Sequence, residues 1–418
     1  MKILVLNSGS SSQKACLYEI GETSPDYPPV PLWQGKIEWN AGTAEMVVKN
    51  SQGVTLREHM PVSSREEVIR YVLGTARDGK ARAIASFSEI DAVGHRVVHG
   101  GPHFEEPMVI THEVRAAIDS VSAFAPLHIR AEVEGMEIIE DLLGAVPQVA
   151  VFDTGFHRQI PLPAAVYPGP YEWFESGIRR YGFHGINHQY CAERAAQMLG
   201  ADVRALKIVS CHLGNGCSVT AVHEGQSIDT TMGFTPLDGL MMGTRSGAVD
   251  PGVLTHLMRQ DHLDAQAIDR MLNQQSGLLG VSGLSSDMRE ILTAIQRGHK
   301  RAKLAFDIYV HRLRAAIAGM AAVLGGMDAL VFTAGVGENS AEVRAAACLG
   351  LEFLGVRLDK QANARPCLDQ DVSAPESRVR VLVIRAEEDW AIAKECWKLT
   401  RTWRPQKLPA MTRLMRAE

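Results

Sequence analysis

The sequence predicts an α/β protein with largely parallel strands, and three observations support this class. Strand signals and helix signals alternate along the whole chain, as they do in proteins built from βαβ units. The stretch from Lys303 to Leu324 has apolar residues at steps of three and four, which is typical of a helix with one buried face. Apolar runs of four to seven residues predict buried strands at Ile3–Leu6, Ala92–Val98, Val149–Phe152, Ile208–Cys211, Ala329–Phe332 and Val379–Ile384.

Polar, Gly-rich or charged residues follow each of these six runs closely. Ligands of open α/β sheets bind beyond the carboxyl ends of strands, so we expect functional residues at these junctions. The segment Gly21–Val30 contains three prolines and predicts an exposed loop after a second strand.

Two segments of the sequence have similar patterns. Residues 3–21 and 208–225 each show a strand pattern, a turn rich in Gly, Ser or Asn, and a second strand pattern. A duplicated hairpin predicts two similar domains, each giving a turn to one shared ligand. Chance similarity between two glycine-rich turns is the alternative.

Composition excludes several classes of protein. The 418 residues are 46% hydrophobic and 22% charged, which is typical of a globular protein of two or three domains. A net charge of −5 offers no basic field for a phosphate backbone, so we expect no nucleic-acid partner. The first apolar run is too short for a signal peptide, and no window is long enough to span a membrane. We therefore expect a cytoplasmic protein without a membrane partner.

The seven cysteines are odd in number and scattered, which predicts free thiols rather than disulfides. Cys211 and Cys217 flank His212. A zinc site there would need a second closely spaced pair of ligands. Small buried core residues are the better interpretation of both cysteines.

Three turns rich in small residues predict phosphate binding: Asn7–Ser12, His212–Gly216 and Gly335–Asn339. Gly, Ser and Asn let backbone N–H groups approach an anion closely. The third turn follows an apolar run and is predicted to open a helix at Ser340, an arrangement that binds phosphates or nucleosides.

Two arginines, Arg96 and Arg245, lie among glycines and other small or polar residues. A planar guanidinium suits two-pronged binding of a carboxylate or phosphoryl group. A buried structural ion pair is the alternative for each arginine.

Acids and a histidine complete the candidate site. Asp153 and Glu387 follow two of the apolar runs, where a carboxylate either caps a turn or holds a hard cation such as Mg²⁺. His184, with His188 one helical turn later, is a candidate whose alternative is a satisfied core histidine.

Together these residues fall in strings that resemble the acetate kinase family of acetate, propionate and butyrate kinases, in the superfamily of sugar kinases, heat-shock ATPases and actin. The resemblance extends from Lys2 to about Ala393. Its strings are Asn7-Ser-Gly-Ser-Ser-Ser12 with Lys14, Gly94-His-Arg-Val-Val-His-Gly-Gly101, Ala125-Pro-Leu-His128, Phe152-Asp-Thr-Gly-Phe-His157, Tyr181-Gly-Phe-His-Gly185, His212-Leu-Gly-Asn-Gly216, Gly233-Phe-Thr-Pro-Leu237 and Met242-Gly-Thr-Arg-Ser-Gly247.

The resemblance implies two duplicated actin-like (ribonuclease H-like) domains with the active site in the cleft between them. The first would span 1–155 plus 388–418, and the second, which binds nucleotide and dimerises, would span 156–387. It further implies phosphoryl transfer from ATP to acetate, dependent on Mg²⁺ or Mn²⁺, giving acetyl phosphate and ADP in a homodimer.

The resemblance also assigns roles to residues. Arg96 and Arg245 would hold the carboxylate and the phosphoryl group, Asp153 would orient the site and Mg²⁺, and His184 would donate in the transition state. Asn7 and Glu387 would be metal or phosphate-side ligands. The acyl pocket would be Val98, Leu127, Phe183 and Pro236. The ATP site would comprise Lys14, His212, Leu213, Gly214, Asn215, Gly216, Asp287, Met288, Arg289, Gly335, Val336, Gly337, Glu338 and Asn339.

Three alternatives to an acetate-specific kinase stay open. A propionate or butyrate kinase is one, because a single methylene group discriminates by only ~1–3 kcal/mol in an apolar pocket. The others are a kinase that uses pyrophosphate and a nucleotide-binding sensor without turnover.

The sequence departs from the family pattern at a few points. Ile129-Arg130 stand where the family usually has Asn-Pro, Arg385-Ala386 stand where it has Thr-Asn, and Gln13 replaces a Leu. The basic segment Lys398–Glu418 extends beyond the usual end. It predicts a solvated or disordered tail, with a partner-docking segment as the alternative.

Overall fold

The computed structural model describes residues 1–9, 12–40, 42–62, 64–102, 104–120, 126–365 and 369–402. At 40 and 126–128 it describes the backbone alone. The tail beyond residue 402 and Cys367 lie outside the described residues, so the expectations for them stay predictions.

The first half of the chain forms an eight-stranded sheet in the order β5-β4-β3-β2-β1-β6-β8-β7. The strands are β1 (Lys2–Ser8), β2 (Ser12–Glu19), β3 (Trp33–Asn40), β4 (Thr43–Asn50), β5 (Thr55–Pro61), β6 (Ala92–Val97), β7 (Met108–Val109) and β8 (Gln148–Phe152). The helices α1 (Arg65–Gly74), α2 (His112–Ser120) and α3 (Pro126–Leu143) and the 3-10 turn Phe87–Glu89 connect them.

The second half forms a six-stranded sheet in the order β11-β10-β9-β12-β14-β13. Its strands are β9 (Lys207–Leu213), β10 (Cys217–His223), β11 (Gln226–Thr230), β12 (Ala329–Thr333), β13 (Gln370–Asp371) and β14 (Arg380–Val383). Its helices are α4 (Leu162–Ala165), α5 (Tyr171–Glu175), α6 (Gly185–Leu199), α7 (Pro251–Gln260), α8 (Ala265–Gln274), α9 (Gly277–Ser282), α10 (Met288–Gln296), α11 (Lys300–Val323), α12 (Ala334–Asn339), α13 (Ala341–Cys348) and α14 (Lys360–Ala364). Short 3-10 turns lie at Gly155–His157, Val203–Ala205 and Glu352–Leu354.

The six apolar runs predicted as buried strands are confirmed as β1, β6, β8, β9, β12 and β14. The predicted helix is confirmed as α11, whose Leu313, Ile317 and Met320 are buried. The repeated hairpin is confirmed as well. The pairs β1–β2 and β9–β10 are both antiparallel, and the first strand of each pairs in parallel with the next core strand, β6 or β12.

Two structural expectations are wrong in part. Parallel pairing is confined to the centre of each sheet, since β2 to β5 pair antiparallel. Strand β4 buries Ala44, Met46 and Val48 but not the residues between them, and such one-faced strands suit antiparallel hairpins. The predicted turn 335–339 lies inside helix α12, because Ala334 at φ 64° redirects the chain straight from β12 into a helix.

A last helix, α15 (Glu388–Thr400), returns the chain to the first sheet and packs on β1 and β6. The contact is close, because a Cβ added at Gly94 in β6 would lie 2.7 Å from Cγ2 of Ile392. Helices α15 and α6 meet in a shared core between the two sheets, which includes Trp390 and Cys191. This packing supports the division at 155/156 and 387/388, which we keep as a proposal.

Within the described ranges, no helix combines the length and the apolar composition needed to cross a membrane. The six described cysteines are all buried and free. Cys211 and Cys217 belong to the core of the second sheet. Both side chains are fully buried there, as the core interpretation of these two cysteines predicts.

Candidate active site

The carboxyl ends of β6 and β8 bring Arg96 and Asp153 together. The two strands are parallel neighbours, and Arg96 Nη2 donates a hydrogen bond to Asp153 Oδ2. The side chain of Asp153 is 1% exposed. Burial raises the pKa of this carboxyl, and the charge of Arg96 opposes that rise. The structural ion pair considered as the alternative for Arg96 is therefore present.

Each partner of the ion pair keeps one polar atom that is able to bind a ligand. Asp153 Oδ1 and Arg96 Nε are buried and make no hydrogen bond with the described residues. Buried polar atoms of native proteins are nearly always satisfied. One acceptor and one donor are thus available to a ligand at the same strand ends.

Arg245 approaches the same place from the second half of the chain. It lies in the loop between β11 and α7, where the backbone carbonyl of Pro236 accepts from Nη1 at 3.3 Å. Burial lowers the pKa of Arg245, and the positive charge of Arg96 lowers it further. Among the described residues Arg245 forms no ion pair with a carboxylate, so the site carries a cationic group that an anion would compensate.

His184 lies close enough to both arginines for their charges to act on it. It precedes α6 in the left-handed conformation, with φ 59°, and stacks on His212 with ring centroids 3.9 Å apart. A Cβ added at Gly216 would lie 3.3 Å from Arg245 Nη1 and 3.4 Å from His184 Nε2. Glycine at 216 therefore keeps open the space that both groups face.

Burial lowers the pKa of His184 well below its ordinary value, and the nearby imidazoles and arginines lower it further. Burial also lowers the pKa of His212 to about 4, although Glu388 Oε1 lies 4.0 Å from Nδ1. Both rings are neutral at pH 7. His212 Nδ1 therefore accepts the hydrogen bond from Asn187 Nδ2 at 2.9 Å, and its proton is on Nε2.

The predicted metal-side residues Asn7 and Glu387 have different partners in the structure. Asn7 Nδ2 donates to Glu388 Oε2 and to Asp389 Oδ1, both at 3.2 Å. The predicted ligand Glu387 instead lies 3.7 Å from Arg385 Nη1, and burial raises its pKa to about 7. Glu388, one residue further along, thus has the closer relation to Asn7.

Glu388 also faces the cations of the site. Burial would raise its pKa, but the positive charges of Arg96 and Lys14 and the hydrogen bond from Asn7 oppose burial, and the pKa is lowered. Burial would lower the pKa of Lys14, and Asp389 and Glu388 more than reverse that effect. Lys14 therefore stays charged beside the acids.

The predicted acyl pocket is partly brought together. Val98 and Phe183 are 4% and 1% exposed and belong to one core cluster. The Val98 N–H donates to both carboxyl oxygens of the buried Glu132, at 3.1 and 3.2 Å. Pro236 contributes its carbonyl to Arg245. The side chain of Leu127 lies outside the described residues.

The departure at 129–130 leaves this region packed. Ile129 is fully buried in the core cluster that includes Val98, and Arg130 is exposed on α3.

A cavity of about 950 Å³ lies beside the His212–Gly216 turn. It is lined by residues from all three predicted nucleotide segments, namely Gly214, Asn215, Asp287, Met288, Arg289, Gly335, Val336 and Asn339, together with Ser286, Leu292, Thr293, Gln296, Ser340 and Glu342.

The other predicted ATP residues do not line this cavity. Lys14, His212 and Gly216 lie toward the arginines, and the Leu213 side chain is fully buried in the core. Gly337 is buried in α12. Glu338 Oε1 accepts a hydrogen bond from the Ala386 N–H at 2.8 Å.

Sequence reasoning missed several residues of this site. Glu388 and Asp389 were detectable, because they follow Glu387 directly in an acidic run that opens a helix. Asn187 and Ser218 were not detectable, since only the packing of α6 on β9 and β10 brings them to the histidines.

Backbone turns and cationic side chains from both halves of the chain surround one space. Together with the fold, this arrangement defines a phosphoryl-transferring enzyme of the actin-like fold. A model of the acetokinase family matches residues 2–394. The chain belongs to the acetokinase family, and it is accordingly a phosphotransferase with a carboxyl group as acceptor.

Individual relatives agree with this assignment. The acetate kinase of Cyanothece sp. is 56% identical over 96% of this chain and 99% of its own length. The crystal structure of Porphyromonas gingivalis acetate kinase matches with a TM-score of 0.86 at 41% identity, over 95% of this chain and 99% of that one. A propionate kinase from Francisella tularensis matches with a TM-score of 0.86 at 38% identity, over the same shares of the two chains.

The buried histidines predict a pH-dependent change in stability. Burial lowers the pKa of His95 to about 4, below its value in an unfolded chain, so the unfolded state binds more protons as the pH falls below about 6.5. We expect the free energy of unfolding of the wild type, relative to His95→Gln, to fall by about 2 kcal/mol between pH 7.5 and pH 5. Chemical denaturation at the two pH values measures this.

A glutamine at position 95 keeps an amide N–H that can donate to Gln148 Oε1, the group that lies 2.7 Å from His95 Nε2 in the wild type. His59→Gln, at an exposed position of β5, is the matched control and should follow the wild type at both pH values. A difference between wild type and His95→Gln that stays constant with pH would contradict the prediction.

Proposed function

We propose that this protein catalyses reversible transfer of the γ-phosphoryl group between ATP and acetate, giving acetyl phosphate and ADP by direct in-line transfer. The observation that carries the proposal is that Arg245 and His184 meet beside Gly216, where the charge of Arg96 also acts on His184, next to the cavity of about 950 Å³. A carboxylate is ionised at pH 7, so it needs no general base to act as the nucleophile. One carboxylate oxygen bonds to the phosphorus while the bond to the β–γ bridging oxygen breaks and ADP leaves with the electron pair.

The arginines and His184 supply most of the stabilisation in this proposal. Phosphoryl transfer spreads negative charge over the equatorial oxygens of the transferring group. Fixed donors aimed at those oxygens stabilise the transition state without reorganisation. Arg96 Nε and Nη groups, Arg245 Nη1 and His184 Nε2 are such donors, and the buried Val98 and Phe183 would hold the acetyl methyl group.

The oxygen donors at the site fit Mg²⁺. Mg²⁺ prefers oxygen ligands and usually takes only one or two carboxylates, keeping several waters. The buried and unpartnered Asp153 Oδ1 and the Glu388 carboxylate beside Asn7 are donors of this kind. We propose that Asp153 and Glu388 hold the metal. Glu387, which the sequence predicts as a ligand, directly precedes Glu388. Bound Mg²⁺ would neutralise charge on the phosphates.

The first experiment measures acyl phosphate, trapped as hydroxamate, with acetate, propionate or butyrate and Mg·ATP. We expect kcat/KM to be highest for acetate, about tenfold or more above propionate, since an extra methylene must fit a pocket closed by buried side chains.

The other outcomes separate the alternatives. A preference for propionate or butyrate would support the longer-chain kinases, to one of which the chain is 38% identical. Turnover with pyrophosphate instead of ATP would support the pyrophosphate-using kinase. A rise in unfolding temperature with Mg·ATP but without acyl phosphate would support the nucleotide sensor.

Arg245→Ala should lower kcat about 10²–10³-fold with little loss of stability, because one donor to the transferring group is removed. Arg245 is a cleaner target than Arg96, whose removal would leave the buried Asp153 unpaired, a costly change. Steady-state kinetics and chemical unfolding measure the two effects. Arg204→Ala is the matched control, since Arg204 is exposed and pairs with the exposed Asp202. Turnover of Arg245→Ala within tenfold of wild type would remove the assignment.

We further propose a homodimer formed through the second half of the chain. Helix α7 has no buried residue, and Val253 and Met258 on it are 45% and 43% exposed. Large apolar side chains on one helix suit an interface. Light scattering after size exclusion should give about 91 kDa, twice the 45.6 kDa of the chain. A mass near 46 kDa would contradict the dimer.

We also propose a cytoplasmic location. The buried free thiols are consistent with a reducing compartment.

A further inference from the structure

One nitrogen of His184 faces the space beside Gly216, and the other is held from behind. Nδ1 lies 2.9 Å from Ser218 Oγ in β10, while Nε2 lies toward the same space as Arg245 Nη1. A neutral imidazole carries its proton on only one nitrogen. The partner of Nδ1 therefore decides whether Nε2 donates or accepts.

Ser218 is itself bound to a second histidine. Its Oγ lies 2.7 Å from Nε2 of His188, one turn further along α6. Nδ1 of His188 lies 2.9 Å from Ser210 Oγ in β9. Four side chains thus form one continuous chain of hydrogen bonds, which we call the relay: Ser210, His188, Ser218 and His184.

The relay is shielded from water. Ser210, Ser218 and His188 are all fully buried. Burial lowers the pKa of His188 well below its ordinary value, as it does for His184. Both rings are therefore neutral, and each offers one donor and one acceptor.

A hydroxyl has one proton to donate, so Ser218 can donate to only one of its two histidine neighbours at a time. If Ser210 donates to His188 Nδ1, His188 Nε2–H donates to Ser218 Oγ, and Ser218 O–H donates to His184 Nδ1. The proton of His184 is then on Nε2. Any arrangement in which His184 Nδ1–H donates to Ser218 Oγ instead, the opposite direction included, would place a lone pair on Nε2, facing the ligand space.

A phosphoryl group has only acceptor oxygens, so it requires the first direction. A similar arrangement, in which a side chain donates to Nδ1 and leaves the proton on Nε2, occurs next to the relay. There Asn187 of α6 donates to His212 Nδ1. Asn187 and His188 are consecutive residues, so one turn of α6 serves both stacked rings.

We propose that Ser218 and His188 are positioning residues that fix His184 as the Nε2–H tautomer, so that it donates to the transferring phosphoryl group. The part of this inference that concerns phosphoryl transfer rests on the proposed function. The tautomer itself is a property of the free protein and is tested without turnover.

The direct test is ¹⁵N NMR of protein labelled at histidine, with His184 assigned by the loss of its signals in His184→Gln. Wild-type protein should show the Nε2–H tautomer of His184, and Ser218→Ala should show a shift toward Nδ1–H. An Nδ1–H tautomer in wild type, or an unchanged tautomer in Ser218→Ala, would overturn the proposal. This readout is independent of whether acetate is the substrate.

The kinetic test compares Ser218→Ala with Ser227→Ala. Ser227 forms a similar buried pair with a histidine, Oγ lying 2.8 Å from His157 Nδ1, but it lies outside the relay. We expect Ser218→Ala to lower kcat about 10- to 100-fold, with the KM for ATP and for acetate within about twofold. Ser227→Ala should lose much less turnover. Equal losses in the two variants, or kcat of Ser218→Ala within twofold of wild type, would overturn the relay.

His188 gives a test by conservative rescue. His188→Gln keeps an N–H donor near the position of Nε2, whereas His188→Leu removes it. We expect Gln to retain most of the turnover that Leu loses, with the tautomer of His184 following the same order. If the two variants fold, as shown by stabilisation with Mg·ATP, and have equal kcat, the role of His188 is refuted.

Discussion

The buried pair of Arg96 and Asp153 is the constraint on which the rest of the site depends. A charge in a protein interior is tolerated only with a partner, and parallel neighbours β6 and β8 deliver these two side chains to the same edge. Each partner keeps one buried atom without a hydrogen bond. The pair therefore fixes the position of a guanidinium and a carboxylate and leaves both able to bind.

Cations and acids around this pair come from both halves of the chain. Arg245 lies in the second half and has no carboxylate partner among the described residues. Lys14 lies in β2 of the first sheet, and Glu388 lies in α15, which packs on that sheet. The segment that connects the halves is held by hydrogen bonds from its backbone N–H groups rather than by its side chains. Ala386 N–H donates to Glu338, and Arg385 N–H donates to Asp369. Since nearly any residue supplies these N–H groups, the departure at 385–386 keeps the connection intact.

The sequence determined the fold class and most of the chemistry-bearing positions. Six buried strands and one long helix were predictable, because a strand or helix buried in a core has a local apolar pattern. Arg96, Asp153 and the His212–Gly216 turn were predictable as site residues because they directly follow or end such strands. The antiparallel strands β3 to β5 of the first sheet were not, since β3 and β4 bury only alternate residues and β5 buries none, so none of the three has a continuous apolar run.

Only the tertiary structure decided which groups meet. It put Glu388 rather than Glu387 against Asn7, because the first turn of α15 points successive side chains in different directions. It brought Ser210, Ser218 and His188 behind His184 through the packing of α6 on β9 and β10. Hydrogen bonds between residues 22 to 34 positions apart, as in the relay, have no local pattern in the sequence, because they depend on the relative placement of whole elements. For that reason the residue types of the site were determined by the sequence alone, and their partners and protonation were determined by the fold.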